Sequence, residues 1–174
     1  NLVINKLLED SSGIVWIGTN QGLFYFDLKS ETFLFKSINF NLPADANLNI
    51  YSLGQDVSGG VWVGLEGYLA RINSDKNISY YADERVENIF QTFYQDAEGA
   101  VFIGSSKKGL LKFSFNETGK PMLERSFASK MTSEIEWIDA IEEIEPNKLL
   151  LGGLNGLFEL DTKTLRIFRY TRSS

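Results

Sequence analysis

Short apolar runs, each closed by a Gly-, Asp- or Asn-containing turn, follow one another along the chain, and no stretch keeps the spacing of an amphipathic helix. The first 36 residues show the unit. Val3–Leu8 is an apolar-biased run that ends at Asp10-Ser11-Ser12-Gly13. Asp at the start of such a turn accepts hydrogen bonds from amides two residues on, and Gly tolerates the positive φ that closes it. Ile14-Val15-Trp16-Ile17-Gly18 is β-branched and aromatic, which predicts a strand buried on both faces. Thr19-Asn20-Gln21-Gly22 is a second turn, Leu23–Asp27 a third strand, Leu28–Glu31 a third turn and Thr32–Lys36 a fourth strand. Four strands and three tight turns make one up-and-down antiparallel sheet.

The unit repeats. Leu7–Gly18 returns as Leu53–Gly64, again as Phe93–Gly104, and in blurred form as Ile141–Gly152. The closing glycines Gly18, Gly64, Gly104 and Gly152 are 46, 40 and 48 residues apart. A period of that length in an all-strand chain predicts a radial or stacked array of small sheets. The fold expected is all-β, with four four-stranded antiparallel blades over about 1–46, 47–86, 87–134 and 135–174, forming part of a larger propeller. Trp16, Trp62, Phe102 and Leu150 hold one position of the second strand, where a large side chain fills the wedge between neighbouring sheets. The Gly two residues later is expected to let the backbone bend beside it. In the fourth copy Ile144 stands in the Asp position and Pro146-Asn147 in the turn.

Composition narrows the chemistry. The net charge is −6, from 17 basic and 23 acidic side chains, which argues against binding nucleic acid or an anionic membrane through this segment. There is no Cys and no His. Disulfides, thiolate metal sites and thiol nucleophiles are thereby excluded, as are a Ser-His triad and a phospho-accepting His. No run approaches 18 consecutive apolar residues. The chain begins with Asn1 and shows no charged-then-apolar leader, as expected of a mature fragment or a piece of a larger protein.

Asp10…Gly13…Trp16-Ile17-Gly18-Thr19…Gly22-Leu23 resembles the two-component regulator propeller repeat, and three of the four copies carry that pattern well. The resemblance implies seven-bladed rings in the periplasmic sensor region of hybrid two-component proteins. It also implies detection of oligosaccharides, with a membrane helix, histidine kinase and response regulator elsewhere in the parent protein. Four blades leave two sheet faces rich in Val, Ile and aromatics uncovered, so the fragment is expected to close as a small ring or to pair end to end with a second copy.

Turns after the second and fourth strands of each unit share one rim, and this rim varies between copies while the Asp-x-x-Gly rim stays constant. Variation on one rim is where a binding face is built. The candidate ligand-binding residues are Asn20, Gln21, Asn49, Glu66, Asn88, Lys107, Asn155 and Trp137. Planar amides and carboxylates match vicinal hydroxyls, and an aromatic ring stacks on the C–H face of a pyranose. Trp137 stands outside the repeating Trp position; filling the gap beside the weak fourth turn is its other reading. Lys107-Lys108 reads as a solvated turn before an anionic-sugar contact, and Asp139, Glu142, Glu143 and Glu145 as a solvated edge before a Ca²⁺ site. No catalytic residue, metal or cofactor is assigned.

Three other functions compete. The blades could bind nothing and serve as scaffold or dimerisation units of the same sensor. A sialidase-type glycosidase is disfavoured because the Asp-to-Gly spacing differs from an Asp-box and Val15, Val61 or Val101 precedes the aromatic. Arg71, Arg85, Arg125, Arg166, Arg169 and Arg172 also sit at non-equivalent places for a carboxylate clamp. A metal-dependent propeller lyase usually rests on His residues, which this chain lacks.

Overall fold

The computed structural model describes residues 1–29, 36–82, 88–127 and 136–170. Within them run sixteen strands and no helix. The first sheet is β1 (Ile4–Glu9), β2 (Ile14–Thr19), β3 (Gly22–Asp27) and β4 (Lys36–Ser37); the second is β5 (Ser52–Gln55), β6 (Val61–Gly64), β7 (Tyr68–Ile72) and β8 (Ile78–Ala82). The third is β9 (Phe90–Gln95), β10 (Val101–Ser105), β11 (Leu110–Phe115) and β12 (Pro121–Ser126). The fourth is β13 (Ile138–Glu145), β14 (Lys148–Gly153), β15 (Gly156–Asp161) and β16 (Arg166–Tyr170). Each sheet keeps sequence order and pairs antiparallel throughout. No helix is long and apolar enough to cross a membrane among the described residues. Most of the predicted strand Thr32–Lys36, together with Arg85 and Arg172, lies outside the described residues.

The sheets pack in chain order through their first strands: β1 meets β5, β5 meets β9 and β9 meets β13, while β8 and β12 meet further out. That is the radial arrangement of a propeller. Alternation along each strand gives every sheet two faces. Trp16 and Leu23 turn toward the second sheet and meet Val61, Val63, Ala70 and Ile72. Trp62 and Leu69 meet Val101, Ile103, Leu111 and Phe113, and Phe102 and Leu110 meet Leu149, Leu151, Phe158 and Leu160. Three hydrophobic clusters therefore fill the three junctions. Trp16, Trp62 and Phe102 are at most 1% exposed, as wedge residues must be. Leu150, with no sheet beyond it, is only half-buried.

The glycine after the wedge residue has a different purpose from the expected bend. A Cβ on Gly64 would lie 2.1 Å from the Phe90 carbonyl oxygen, and one on Gly104 would lie 2.5 Å from that of Ile138. The inner strand of the next sheet passes too close for any side chain. At Gly152, which has no following sheet, the nearest atom is 3.3 Å away, on Ala140 of its own sheet.

Asp10 organises its turn as the sequence predicts. Its Oδ1 accepts the amides of Ser12 (2.9 Å) and Ile14 (3.0 Å) and the Ser12 hydroxyl (2.6 Å), with Gly13 at φ 89°. Its Oδ2 also accepts the Trp16 indole N–H at 2.7 Å, so the turn and the wedge are one unit. Asp56 repeats this with Ser58, Gly60 and Trp62, and adds an ion pair at 2.6 Å with Arg71, which faces Trp62 across the ladder. Asp96 keeps the Glu98 and Ala100 amides, while Phe102 offers no N–H. In the fourth sheet Glu145 pairs with Lys148 around a tight Pro146-Asn147 turn, Asn147 takes φ 67°, and Ile144 sits in a register shift, 44% exposed.

Burial pushes the Asp10 and Asp56 carboxyls up, but their hydrogen bonds outweigh it and both end below the ordinary carboxylate range. For Asp10 the donors are led by Ser12 and Trp16; for Asp56 they are led by Arg71 and Ser58. A folded-state pKa below the unfolded one contributes stability above the unfolded value of about 3.9 and loses it as pH falls through the folded value. The melting temperature is expected to hold between neutral and mildly acidic pH and to fall below about pH 4. Asp56→Asn should flatten that acid limb in a calorimetric pH series, and a melting temperature that rises on acidification would contradict the assignment.

Neighbouring sheets are also clasped at this rim. Gln55 Oε1 accepts the Ser11 amide at 2.9 Å, and Gln95 Oε1 accepts the Val57 amide at 2.6 Å. Glu143, at the same position of the fourth sheet, instead bonds the Tyr94 hydroxyl. Burial first, then Glu143, push that phenol up to about 12. No strand of the first sheet packs on the fourth among the described residues, so the arc is open and the small-ring expectation is overturned.

Candidate functional site

The variable rim is where each second-to-third-strand turn meets the segment leading into the next sheet. Thr19 O accepts the Ile50 amide at 2.9 Å; Leu65 O accepts that of Phe90 at 3.2 Å; Asn88 O accepts that of Gly67 at 2.7 Å; and Glu136 O accepts that of Gly109 at 2.8 Å. Polar side chains here first serve this stitching. Asn20 Oδ1 accepts the Val3 amide at 2.8 Å, and its Nδ2 reaches Asn1 O at 3.2 Å. Asn88 is fully buried and its Oδ1 accepts the Lys107 amide at 3.0 Å, so it does not present its amide to solvent. Asn49 Oδ1 takes the Asn5 amide group at 2.7 Å.

One open cavity of about 320 Å³ forms on this rim, lined by Pro43, Asp45, Ala46, Asn47, Glu66 and Tyr68. Glu66 Oε2 accepts Asn47 Nδ2 at 2.6 Å, and Asn47 Oδ1 accepts the Asn49 amide at 3.0 Å. The carboxylate and amide thus hold each other in place. Glu66 and Tyr68 are half-buried, while Asp45 and Asn47 are exposed. The cavity unites two carboxylates, an amide and a phenol at the edge of one aromatic ring.

Among the predicted residues, Glu66 lines this cavity, and Asn49 is bonded to its wall. Gln21, Lys107 and Asn155 are exposed elsewhere on the rim, and Trp137 is half-buried immediately before β13. The structure does not bring these four into the cavity. Asp45 and Tyr68 were not foreseen. Their signals were available: in the other copies Gly22, Gly109 and Gly156 directly precede the strand leucine, whereas Tyr68 stands between Gly67 and Leu69. Asp45 falls in the non-repeating connection between the first two units. No group of three or more Asp, Glu, His or Cys side chains is placed to hold a metal ion among the described residues.

Four radially packed antiparallel sheets, with an inter-sheet wedge residue and an Asp turn, define the β-propeller class. The sequence model described as two component regulator propeller matches residues 1–21, within the first unit. The extracellular domain of a protein described as a hybrid two component system of B. thetaiotaomicron superposes with a TM-score of 0.75 at 18% identity. That superposition covers 97% of this chain and 23% of that one. A second B. thetaiotaomicron extracellular domain, described as that of a one component system, gives 0.73 at 22% identity, covering 98% and 22%. Virginiamycin B lyase from Staphylococcus aureus gives 0.72 at 15% identity, covering 97% and 55%. This chain therefore spans under a quarter of the two extracellular domains and about half of the lyase. At these identities the likeness is one of fold. No curated relative matches the chain.

Proposed function

We propose that this chain is a periplasmic, ligand-sensing segment of a two-component signalling protein and that it detects an oligosaccharide on the variable rim. The cavity of Asp45, Asn47, Glu66 and Tyr68 carries the binding part of this reading. Its carboxylates and amide can bond vicinal hydroxyls, Tyr68 offers a ring face to sugar C–H bonds, and about 320 Å³ has room for a sugar ring. The propeller match at residues 1–21 and the likeness to extracellular sensor domains support the signalling part. The signal would pass to a histidine kinase outside this chain, which contains no His of its own.

Calorimetric titration with a panel of neutral and acidic oligosaccharides tests the proposal. One panel member is expected to bind, with Tyr68→Ala and Glu66→Gln each weakening it about tenfold or more. Silence across the panel would overturn ligand sensing by this segment and favour scaffold blades. One observation already speaks for that second reading: Asn20 and Asn88 are taken up by the backbone they hold. Enzymatic activity is not proposed. A lyase variant with one histidine replaced by alanine is described as catalytically inactive, and this chain has none to supply that chemistry.

A further inference from the structure

The rim cavity between the first two sheets is rich in unspent acceptors and poor in donors. Asp45 stands at the third position of a turn that Pro43 opens and the Ala46 amide closes on Pro43 O at 2.9 Å. Among the described residues its carboxylate makes no hydrogen bond and no ion pair. Glu66 is held twice: its backbone bridges to Ile89 at the entry of the third sheet, and its Oε2 takes Asn47 Nδ2 at 2.6 Å. Its Oε1 is left uncommitted. Asp45 and Glu66 therefore bring three uncommitted carboxylate oxygens to the cavity walls, two from the first and one from the second. The donors set against them are the second N–H of Asn47 and the Tyr68 hydroxyl. No Lys or Arg lines the cavity among the described residues, and the chain as a whole carries a net charge of −6.

We infer that the sugar taken by this cavity carries a free primary amine, with its ammonium set between Asp45 and Glu66 and its ring against Tyr68. This rests on the sugar-sensing reading above and narrows it. An ammonium has three donors and no acceptor, which matches the three uncommitted carboxylate oxygens. Hydrogen bonds between ionised partners are also roughly twice as strong as neutral ones. A hydroxyl in the same place brings one donor and turns its own lone pairs toward the carboxylates. A uronate or sulfate brings like charge into a cavity with no cation in its described walls, and the field of the chain opposes its approach. A divalent cation is poorly served here. It takes about six to eight oxygen ligands, against two carboxylates and an Asn47 Oδ1 already engaged by the Asn49 amide.

Calorimetric titration at about pH 6, where an amine of the α-amino kind keeps its proton, tests this. The probes are a glucosamine oligomer, the same oligomer N-acetylated, and a galacturonate oligomer of equal length. The free-amine probe is expected to bind at least about tenfold more tightly than the acetylated one, and the galacturonate probe to give no heat. Raising the salt from about 0.05 M to about 0.5 M should weaken the amine probe more than the acetylated one. Asp45→Asn, at an exposed turn position, should cut the advantage of the amine about tenfold, and Asp45→Glu should keep part of it. Equal affinity for the amine and its acetylated partner, or tighter binding of galacturonate, would overturn the amine assignment and leave sugar sensing standing. An amine probe that stays silent while a neutral sugar binds would do the same. Heat from calcium chloride alone would reassign the two carboxylates to a metal and overturn the inference. Silence from every sugar, charged or neutral, would remove the amine assignment and the sugar reading together.

Discussion

Trp62→Ala is expected to destabilise the chain by about 3–5 kcal/mol, the range for removing a large aromatic from a close-packed core. The indole is 1% exposed and lies 5.8 Å from the Phe93 ring, 6.3 Å from Phe113 and 5.3 Å from Phe115. Two of those rings stand on the third strand of the next sheet and one on its first. Truncation therefore empties the joint between two sheets and leaves either one little to close on. The substitution also frees Asp56 Oδ2 of its indole donor. Trp62→Phe separates the two contributions, because it keeps a ring and loses the N–H; Phe102 is the natural example. That variant should cost about 1.5–3 kcal/mol, the range for a hydrogen bond to a charged group. Urea unfolding followed by tyrosine fluorescence and circular dichroism measures both, and equal losses for the two variants would show that packing at this joint counts for little.

Asp56→Ala should cost about 3–5 kcal/mol, because it strips a buried ion pair of one partner. The Asp56 side chain is 1% exposed and Arg71 is 12% exposed. Arg71 Nε is 2.6 Å from the carboxylate, and Nη2 also donates to Ser58 Oγ at 2.7 Å. Without Asp56 the guanidinium keeps the Ser58 hydroxyl and a position 5.0 Å from the Phe115 ring, but no counter-charge. The Gly60 amide and the Trp62 indole lose their acceptor in the same stroke. The double variant Asp56→Ala, Arg71→Met should recover part of the loss, since an apolar replacement of both partners removes the orphaned charge. Asp96→Ala, in a turn with neither Trp nor Arg partner among its bonds, is expected to cost clearly less. Chemical denaturation of the three variants side by side ranks them.

The architecture could be read from the chain because one position speaks for all the others. Once Trp16, Trp62 and Phe102 are aligned, their burial between sheets follows from size alone. The ladders then place Leu23, Leu69, Leu110 and Leu157 without further information. What could not be read lies between sheets. The Asp10–Trp16 bond crosses a hairpin and depends on indole orientation, although the six-residue spacing recurs at Asp56–Trp62. The role of Gly64 was misread for the same reason: the carbonyl that excludes a Cβ belongs to Phe90, 26 positions away in the next sheet. The rim was read correctly as variable, but its amides could not be sorted from the sequence. Asn20 and Asn88 look identical to Asn47 in one dimension. Only the fold shows that Asn20 and Asn88 hold backbone away from the cavity, while Asn47 holds the Asn49 amide and also donates to Glu66 in the cavity wall.

The tight approach of Gly64 to Phe90 O and of Gly104 to Ile138 O has a consequence for the spacing of neighbouring sheets. At these two points a main-chain carbonyl of the next sheet, together with the Ser52 hydroxyl beside Gly64 and the Thr92 and Ile138 side chains beside Gly104, takes the room a Cβ would need. A side chain introduced at Gly64 or Gly104 would have to push the entry of the next sheet's inner strand away, so the distance between those sheets is set at these glycines.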